Sequence, residues 1–205
     1  MPVSPPAVPL PWGSMVGDHW PCLVRIFNPA TFPDGFPVRW SDLAPGVDLA
    51  RASWESATGR TYRGGVGASL APWEPEEGPE CPHSRVPLMR VLLALATGAV
   101  WIGQWDGYGG RRRPSPAQHL TTHKGVLRSY DVVEVTEELR RALEDPADPP
   151  MLPNRMWDEG GTFQLDADID LPSMIVGCTE RIAAAIEADP DLEVVRISAD
   201  DPVLL

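Results

Sequence analysis

The stretch TFQLDADIDLPSMIVG, residues 162–177, decides how the second half of the chain is read. Phe163, Leu165, Ala167 and Ile169 alternate with Gln164, Asp166, Asp168 and Asp170. This is the period of a β-strand, whose side chains point alternately to opposite faces. The apolar set makes a core face, and the acidic set is expected to face solvent or the basic groups of a partner. Successive carboxylates on one face lie about 6.6 Å apart at a rise of about 3.3 Å per residue, close enough for two to share a hard divalent cation. Asp170 also precedes Leu171-Pro172-Ser173, where a carboxylate can accept N–H groups at a helix start. Ile175, Cys178, Ile182 and Ile186 recur at three or four residues, which predicts a helix over roughly 174–188 with Cys178 as a small core residue. LEVVRIS (192–198) then reads as the last strand.

Working outward, RSYDVVEV (128–135) is a strand, and Thr136 followed by Glu137 and Glu138 caps the helix EELRRALE. AVWIGQW (99–105) is a strand that runs into the turn DGYGG. SRVPLMRVLLALAT (84–97) predicts a helix with Pro87 in its first turn and Gly98 at its end. Residues 46–83 read mainly as loop. CLVRIF (22–27), ended by Asn28-Pro29, is a strand, and PDGF (33–36) is a turn. FPVRW follows as a short extended piece, with Ser41 and Asp42 expected to cap a short helix over 42–45. Five prolines in residues 1–20 predict a Pro-rich tail that wraps the domain through Trp12 and Trp20. The expected architecture is a single α+β domain over 21–205, with about five strands in a mixed or antiparallel sheet, about four helices and many Pro/Gly-rich loops.

The chain has 205 residues, 24 prolines, 18 glycines and a formal charge of −12. Such a surface repels nucleic acid and anionic lipid and favours a cationic partner. Cys22, Cys81 and Cys178 form no CxxC, and their odd number leaves a thiol unpaired, which fits a reducing cytoplasm. The opening MPVSPPAVPLPWGSM has neither the basic start nor the apolar run of a signal peptide. The longest apolar stretch, VPLMRVLLALATGAV, is broken by Arg90 and is too short to span a bilayer.

The candidate constellations are few. Trp101 and Trp105 share a strand face and, with Asp106 and Tyr108, can form core or an aromatic patch for a partner. The glycines at 107–110 lead into RRRPSP rather than a helix, so they make a poor phosphate loop. Arg111, Arg112 and Arg113 read as a solvated loop, and His119 and His123 lie in a turn that Thr121 and Thr122 make a poor helix. No P-loop, kinase segment, EF-hand, HExxH or GxSxG occurs.

Trp101 with W-D-G-Y-G at 105–109, and D-I-D-L-P-S-M-I-V-G at 168–177, resemble a family of uncharacterised actinobacterial proteins; CLVRIFNP and PVRWSDLA are similar to it more loosely. The chain departs from that pattern at Cys178, where a second small residue is usual, and in a shorter tail. The resemblance implies a small intracellular protein, of a kind consistent with a neutralising or accessory partner, and carries over no catalytic residue.

The expected function is that of a non-enzymatic, cytoplasmic binding protein, an immunity- or antitoxin-like or accessory partner. Its counterpart is another protein with a basic surface, not nucleic acid or membrane. The binding surface is expected at Trp105, Asp106 and Tyr108 with Asp166, Asp168 and Asp170, without catalytic residues, metal or cofactor. The alternative is a divalent-metal-dependent hydrolase or transferase using Asp168 and Asp170. A third reading, a small-molecule binder, requires a cleft beside Trp101 or Trp105.

Overall fold

The computed structural model describes residues 11–31, 36–59, 75, 78–107, 117–121, 127–147 and 149–203, with backbone alone for 117–121, 127 and 128. In chain order come α1 (Gly13–Val16), β1 (Cys22–Phe27), the small hairpin β2 (Ala30–Thr31) and β3 (Pro37–Val38), and α2 (Trp40–Leu43). A 3-10 turn at Leu49–Arg51, α3 (Trp54–Thr58) and a second 3-10 turn at Gly78–Glu80 follow. Then come α4 (Pro82–Leu95), β4 (Val100–Trp105), β5 (Ala117–Thr121), β6 (Leu127–Glu134) and α5 (Glu137–Leu143). The chain closes with β7 (Arg155–Asp158), β8 (Phe163–Asp166), β9 (Ser173–Cys178), α6 (Glu180–Ala188) and β10 (Val194–Ile197). The expected PDGF turn and the RRRPSP loop lie outside the described residues.

Eight strands form one sheet in the order β10-β1-β9-β8-β7-β4-β6-β5, and every neighbouring pair is antiparallel. The α+β class is as expected; the described residues hold more strands and more short helices than the sequence reading counts. One face of the sheet carries the main core. Leu88, Met89 and Leu92 of α4, Leu143 of α5, and Ile182, Ala183 and Ile186 of α6 close over Val24, Ile26, Ile102, Met156, Leu165 and Val176. The opposite face of β1 and β9 is covered by the N-terminal segment, where Trp12, Met15 and Val16 pack on Leu23, Leu171 and Ile175. Beside it, Phe27 packs with Trp40 and Trp54 from α2 and α3. None of the described helices is long and apolar enough to cross a membrane.

The largest departure from the sequence reading is at 173–178, which is strand β9 and not the start of a helix; the helix begins only at Glu180. Both faces of β9 are buried, with Met174, Val176 and Cys178 in the main core and Ile175 in the second. A strand buried on both sides shows no polar alternation, so periodicity does not distinguish it from a buried helix. The sequence carries no strand signal of its own at β5 or β7, and α3 falls in the stretch 46–83 that reads mainly as loop. Ser53 caps α3 through a capping box with Ser56. Helix α4 starts at Pro82, so Pro87 falls in its second turn rather than its first. Thr136 caps α5 as expected, accepting the Leu139 N–H at 3.2 Å. Helix α2 starts at Trp40, and its cap is neither Ser41 nor Asp42. The Glu193 carboxylate, 152 residues away from Ser41, accepts the Trp40 and Ser41 N–H groups at 2.7 and 2.8 Å.

Two close approaches fix the edges of this core. A Cβ at Gly177 would stand 2.3 Å from Cδ1 of Trp20, whose indole N–H is held by the Val16 carbonyl at 2.7 Å. Asp158 ties the α4–β4 connection to the β7–β8 hairpin by accepting from Thr97 N (2.8 Å), Thr162 N (2.7 Å) and Thr162 Oγ1 (2.5 Å). Burial pushes its carboxyl up, but the hydrogen bonds from Thr162, Thr97 and Phe163 outweigh this and hold it below its ordinary value of 3.8.

Gly177→Ala should destabilise the fold by about 1–3 kcal/mol, read as a lower urea midpoint, because Trp20 must move to admit the methyl group. Since the folded value of Asp158 is depressed, its contribution is complete above 3.8 and is lost as pH falls through the folded value. Asp158→Asn should therefore cost most at neutral pH, and urea titrations below pH 3.8 should bring variant and wild type together.

Candidate functional site

The aspartates of 162–177 do not form a solvated face. Strand β8 ends at Asp166, and Asp166 and Asp168 are only 3% and 5% exposed. Asp166 and Arg155 are register partners on β8 and β7, and their side chains form an ion pair at 2.7 Å. The Arg155 guanidinium carbon lies 5.9 Å from the Tyr130 ring centre. After Asp166 the chain leaves the ladder: Ala167 and Asn154 exchange hydrogen bonds, from Ala167 N at 2.8 Å and from Asn154 Nδ2 at 3.1 Å. Asp168 Oδ1 then accepts the N–H of Asp170 at 2.9 Å and shapes the turn into Leu171. Asp170 is half-buried. The alternation seen in the sequence is thus interrupted by a turn, and Asp166 and Asp168 are held by internal partners. Among the described residues, no group of three or more His, Cys, Asp or Glu side chains is arranged to hold a metal ion.

Trp105 and Asp106 sit half-buried where β4 ends. Asn154 Oδ1 accepts the Trp105 N–H at 2.9 Å, and Asp106 N donates to Ser129 O at 3.1 Å. A Cβ at Gly107 would lie 2.1 Å from the Trp105 ring, so the turn passes directly beneath the indole. Tyr108 and His123 lie outside the described residues, and His119 is described by its backbone alone, on β5.

The sequence reading missed the partner of Trp101. Trp157 of β7 is its register neighbour, and the two rings stack with centres 6.4 Å apart and planes inclined by 22°. Both are half-buried. Register places Glu134 of β6, which is exposed, on the other side of Trp101, and Gln164 of β8 beyond Trp157. Glu134, Trp101, Trp157 and Gln164 therefore form one row across four strands, on the face opposite the main helices. Only the alternation in RMWD (155–158) hints at β7, and four residues make too short a period to identify a strand.

Two further polar clusters lie at the sheet. The Cys22 thiol donates to Glu180 Oε2 at 2.8 Å, and Arg196 bridges Glu180 and Glu187 at 2.9 and 2.6 Å. Arg196 and the Cys22 hydrogen bond hold the Glu180 carboxyl down to about 2. Burial and Glu180 raise the Cys22 thiol, and burial pushes Cys178, its cross-strand neighbour, up to about 12. Both cysteines are thus protonated thiols at neutral pH, a poor state for nucleophilic attack.

The second cluster is Arg25, fully buried at 0% exposure. It donates to Ser173 Oγ (3.1 Å), Leu49 O (3.3 Å) and Ala52 O (2.7 Å), and its guanidinium carbon lies 4.5 to 5.6 Å from the ring centres of Phe27, Trp12 and Trp40.

A cavity of ≈ 470 Å³ opens where the start of α4 meets β1 and the segment before β10, lined among others by Phe27, Pro29, Arg39, Ser84, Arg90 and Glu193. Its inner polar groups are already engaged: Ser84 Oγ donates to Asn28 Oδ1, and Glu193 caps α2. Neither Trp101 nor Trp105 lines it, so it is not the cleft that the small-molecule reading requires.

No protein family, curated protein or solved structure matches this chain.

Asp166→Asn should destabilise the protein by about 3–5 kcal/mol, because it removes the carboxylate that faces the buried Arg155 guanidinium. Replacing both with apolar residues of similar volume should recover most of that loss, measured by denaturant titration of the single and double variants.

Proposed function

We propose that this chain is a non-enzymatic binding protein whose counterpart is another protein with a basic surface. The observation that carries the reading is the row Glu134–Trp101–Trp157, two stacked and partly exposed indoles beside an exposed carboxylate. Indole faces attract a guanidinium or ammonium group, and a neighbouring carboxylate fixes where it lies. Tryptophan supplies large contact area, which is why it dominates binding energy at interfaces. The charge of −12 favours encounter with a cationic partner and disfavours nucleic acid. Trp105 lies on the same face of β4, so the surface extends towards Asp106. An immunity- or antitoxin-like role, in which an acidic protein covers a basic one, is the form of binding most consistent with these features. The metal-dependent alternative gains no support from geometry, since Asp168 Oδ1 is taken by its own turn.

The test is affinity capture with the full chain from a lysate of its host, run beside Trp101→Ala/Trp157→Ala and Glu134→Lys. The expected result is a stoichiometric protein partner rich in surface Arg or Lys, with affinity reduced at least about tenfold in each variant. Failure to recover such a partner, or equal capture by variants with unchanged melting temperature, would count against the proposal.

A further inference from the structure

The Cys22 and Cys178 thiols take no part in the surface proposed above, yet the fold sets them side by side. They are register partners on the antiparallel strands β1 and β9, and Phe163 of β8 flanks Cys178 on its other side. Both belong to the main core, with Ile182, Ala183 and Ile186 of α6. Both are free thiols. The third cysteine, Cys81, is buried at the start of α4 and lies outside that cluster.

Strand register fixes how far apart the pair stands. The ladder runs on to Asn28, whose N–H donates to Pro172 O at 3.1 Å. Counting back by twos makes Cys22 and Cys178 a hydrogen-bonded pair, with Cα atoms about 5.5 Å apart. That separation is usual for a disulfide. The Cβ atoms of such a pair stand up to about 5.5 Å apart, against about 3.8 Å in a disulfide. Closure therefore draws the strands together and leaves a bond that thiol reductants open.

Cys22 is the member nearer the surface. It is 5% exposed against 0% for Cys178, and its thiol bonds Glu180 within the exposed Glu180–Arg196–Glu187 cluster. Arg196 Nη1 lies 3.7 Å from Cys22 Sγ and favours the thiolate that attacks an oxidant. Burial and Glu180 work against that thiolate, so the reaction is slow and answers to sustained oxidant.

We propose that Cys22 and Cys178 form a site of reversible oxidation, closed to a disulfide by a small oxidant of the peroxide class and reopened by thiols. The Cys22 thiolate attacks one peroxide oxygen, the O–O bond breaks, and the departing hydroxide takes up the thiol proton as water. Cys178 Sγ then attacks the sulfenic sulfur. The S–S bond forms as the S–O bond breaks, and hydroxide leaves with the Cys178 proton as a second water. Two thiols thus lose two electrons in all, and one peroxide is reduced to two waters. The product ties the first strand to the penultimate one and withdraws from Glu180 the thiol that bonds it. Cys81 stays reduced.

The full chain is treated with hydrogen peroxide, and remaining thiols are blocked with N-ethylmaleimide in denaturant. Products are read by intact mass and by mapping of disulfide-linked peptides. The expected product is about 2 Da lighter before blocking, has one thiol left to block, joins Cys22 to Cys178, and is restored by dithiothreitol. Cys81→Ser should form the same bond, and Cys22→Ser none. Oxidation in urea should shift the linkage towards Cys22–Cys81, which closes the shortest loop. Three blockable thiols after peroxide, sulfinic acids without a disulfide, or a native linkage distributed as in urea overturns the proposal.

Discussion

Strands β1 and β9 run antiparallel where both faces of the sheet are covered, and every residue of each strand is buried. Their ladder satisfies backbone groups that cannot reach water. The alternate side chains serve two cores: Val24, Ile26, Met174 and Val176 meet the helices, while Leu23 and Ile175 meet the N-terminal segment. In this setting Arg25 is tolerated only because other parts of the chain bring it acceptors and aromatic faces. Leu49 and Ala52 supply carbonyls, Ser173 a hydroxyl, and Trp12, Phe27 and Trp40 the rings. The guanidinium consequently joins the segment around the Leu49–Arg51 turn to the sheet as well as occupying its core.

Polar side chains far apart in sequence hold the rest of the second layer. Glu193 caps a helix that begins at Trp40, and the Asn28 side chain accepts from Ser84 and donates to Gly78 O at 2.9 Å, while its backbone carbonyl accepts the Trp40 indole N–H at 2.9 Å. Asp158 closes one connection and Asp166 pairs with Arg155. Asp166 reads as a solvent- or partner-facing charge in the sequence, yet like Glu193 and Asp158 it is engaged in assembling the fold. The surface proposed for a partner is different: two indoles from neighbouring strands, beside an exposed glutamate.

Segments whose local chemistry agrees with their tertiary role could be read directly. CLVRIF is a short apolar run stopped by Asn28-Pro29 and is β1; Thr136 followed by two glutamates starts α5. The strands around Trp101 and Tyr130 and the last strand near Val194 were visible for the same reason. RMWD is too short to show a period, and SMIVGC is apolar at nearly every position because both of its faces are covered. Spacing of Ile175, Cys178, Ile182 and Ile186 mimicked a helix that actually starts at Glu180. The candidate surface was half legible, since Trp101 and Trp105 announced an aromatic face, whereas Trp157 and Glu134 joined it only through strand register.

The sequence by itself therefore determined the α+β class, the acidic character of the surface, and those elements bounded by caps, Asn-Pro or Gly. Each of these depends on composition or on neighbours a few residues away. Tertiary structure alone decided that the acids at 166 and 168 are internal, that residues 173–178 are a central strand, and that Arg25 lies among aromatic rings and neutral acceptors. Those outcomes depend on which distant groups share a face or a row of the sheet, and no local pattern records that.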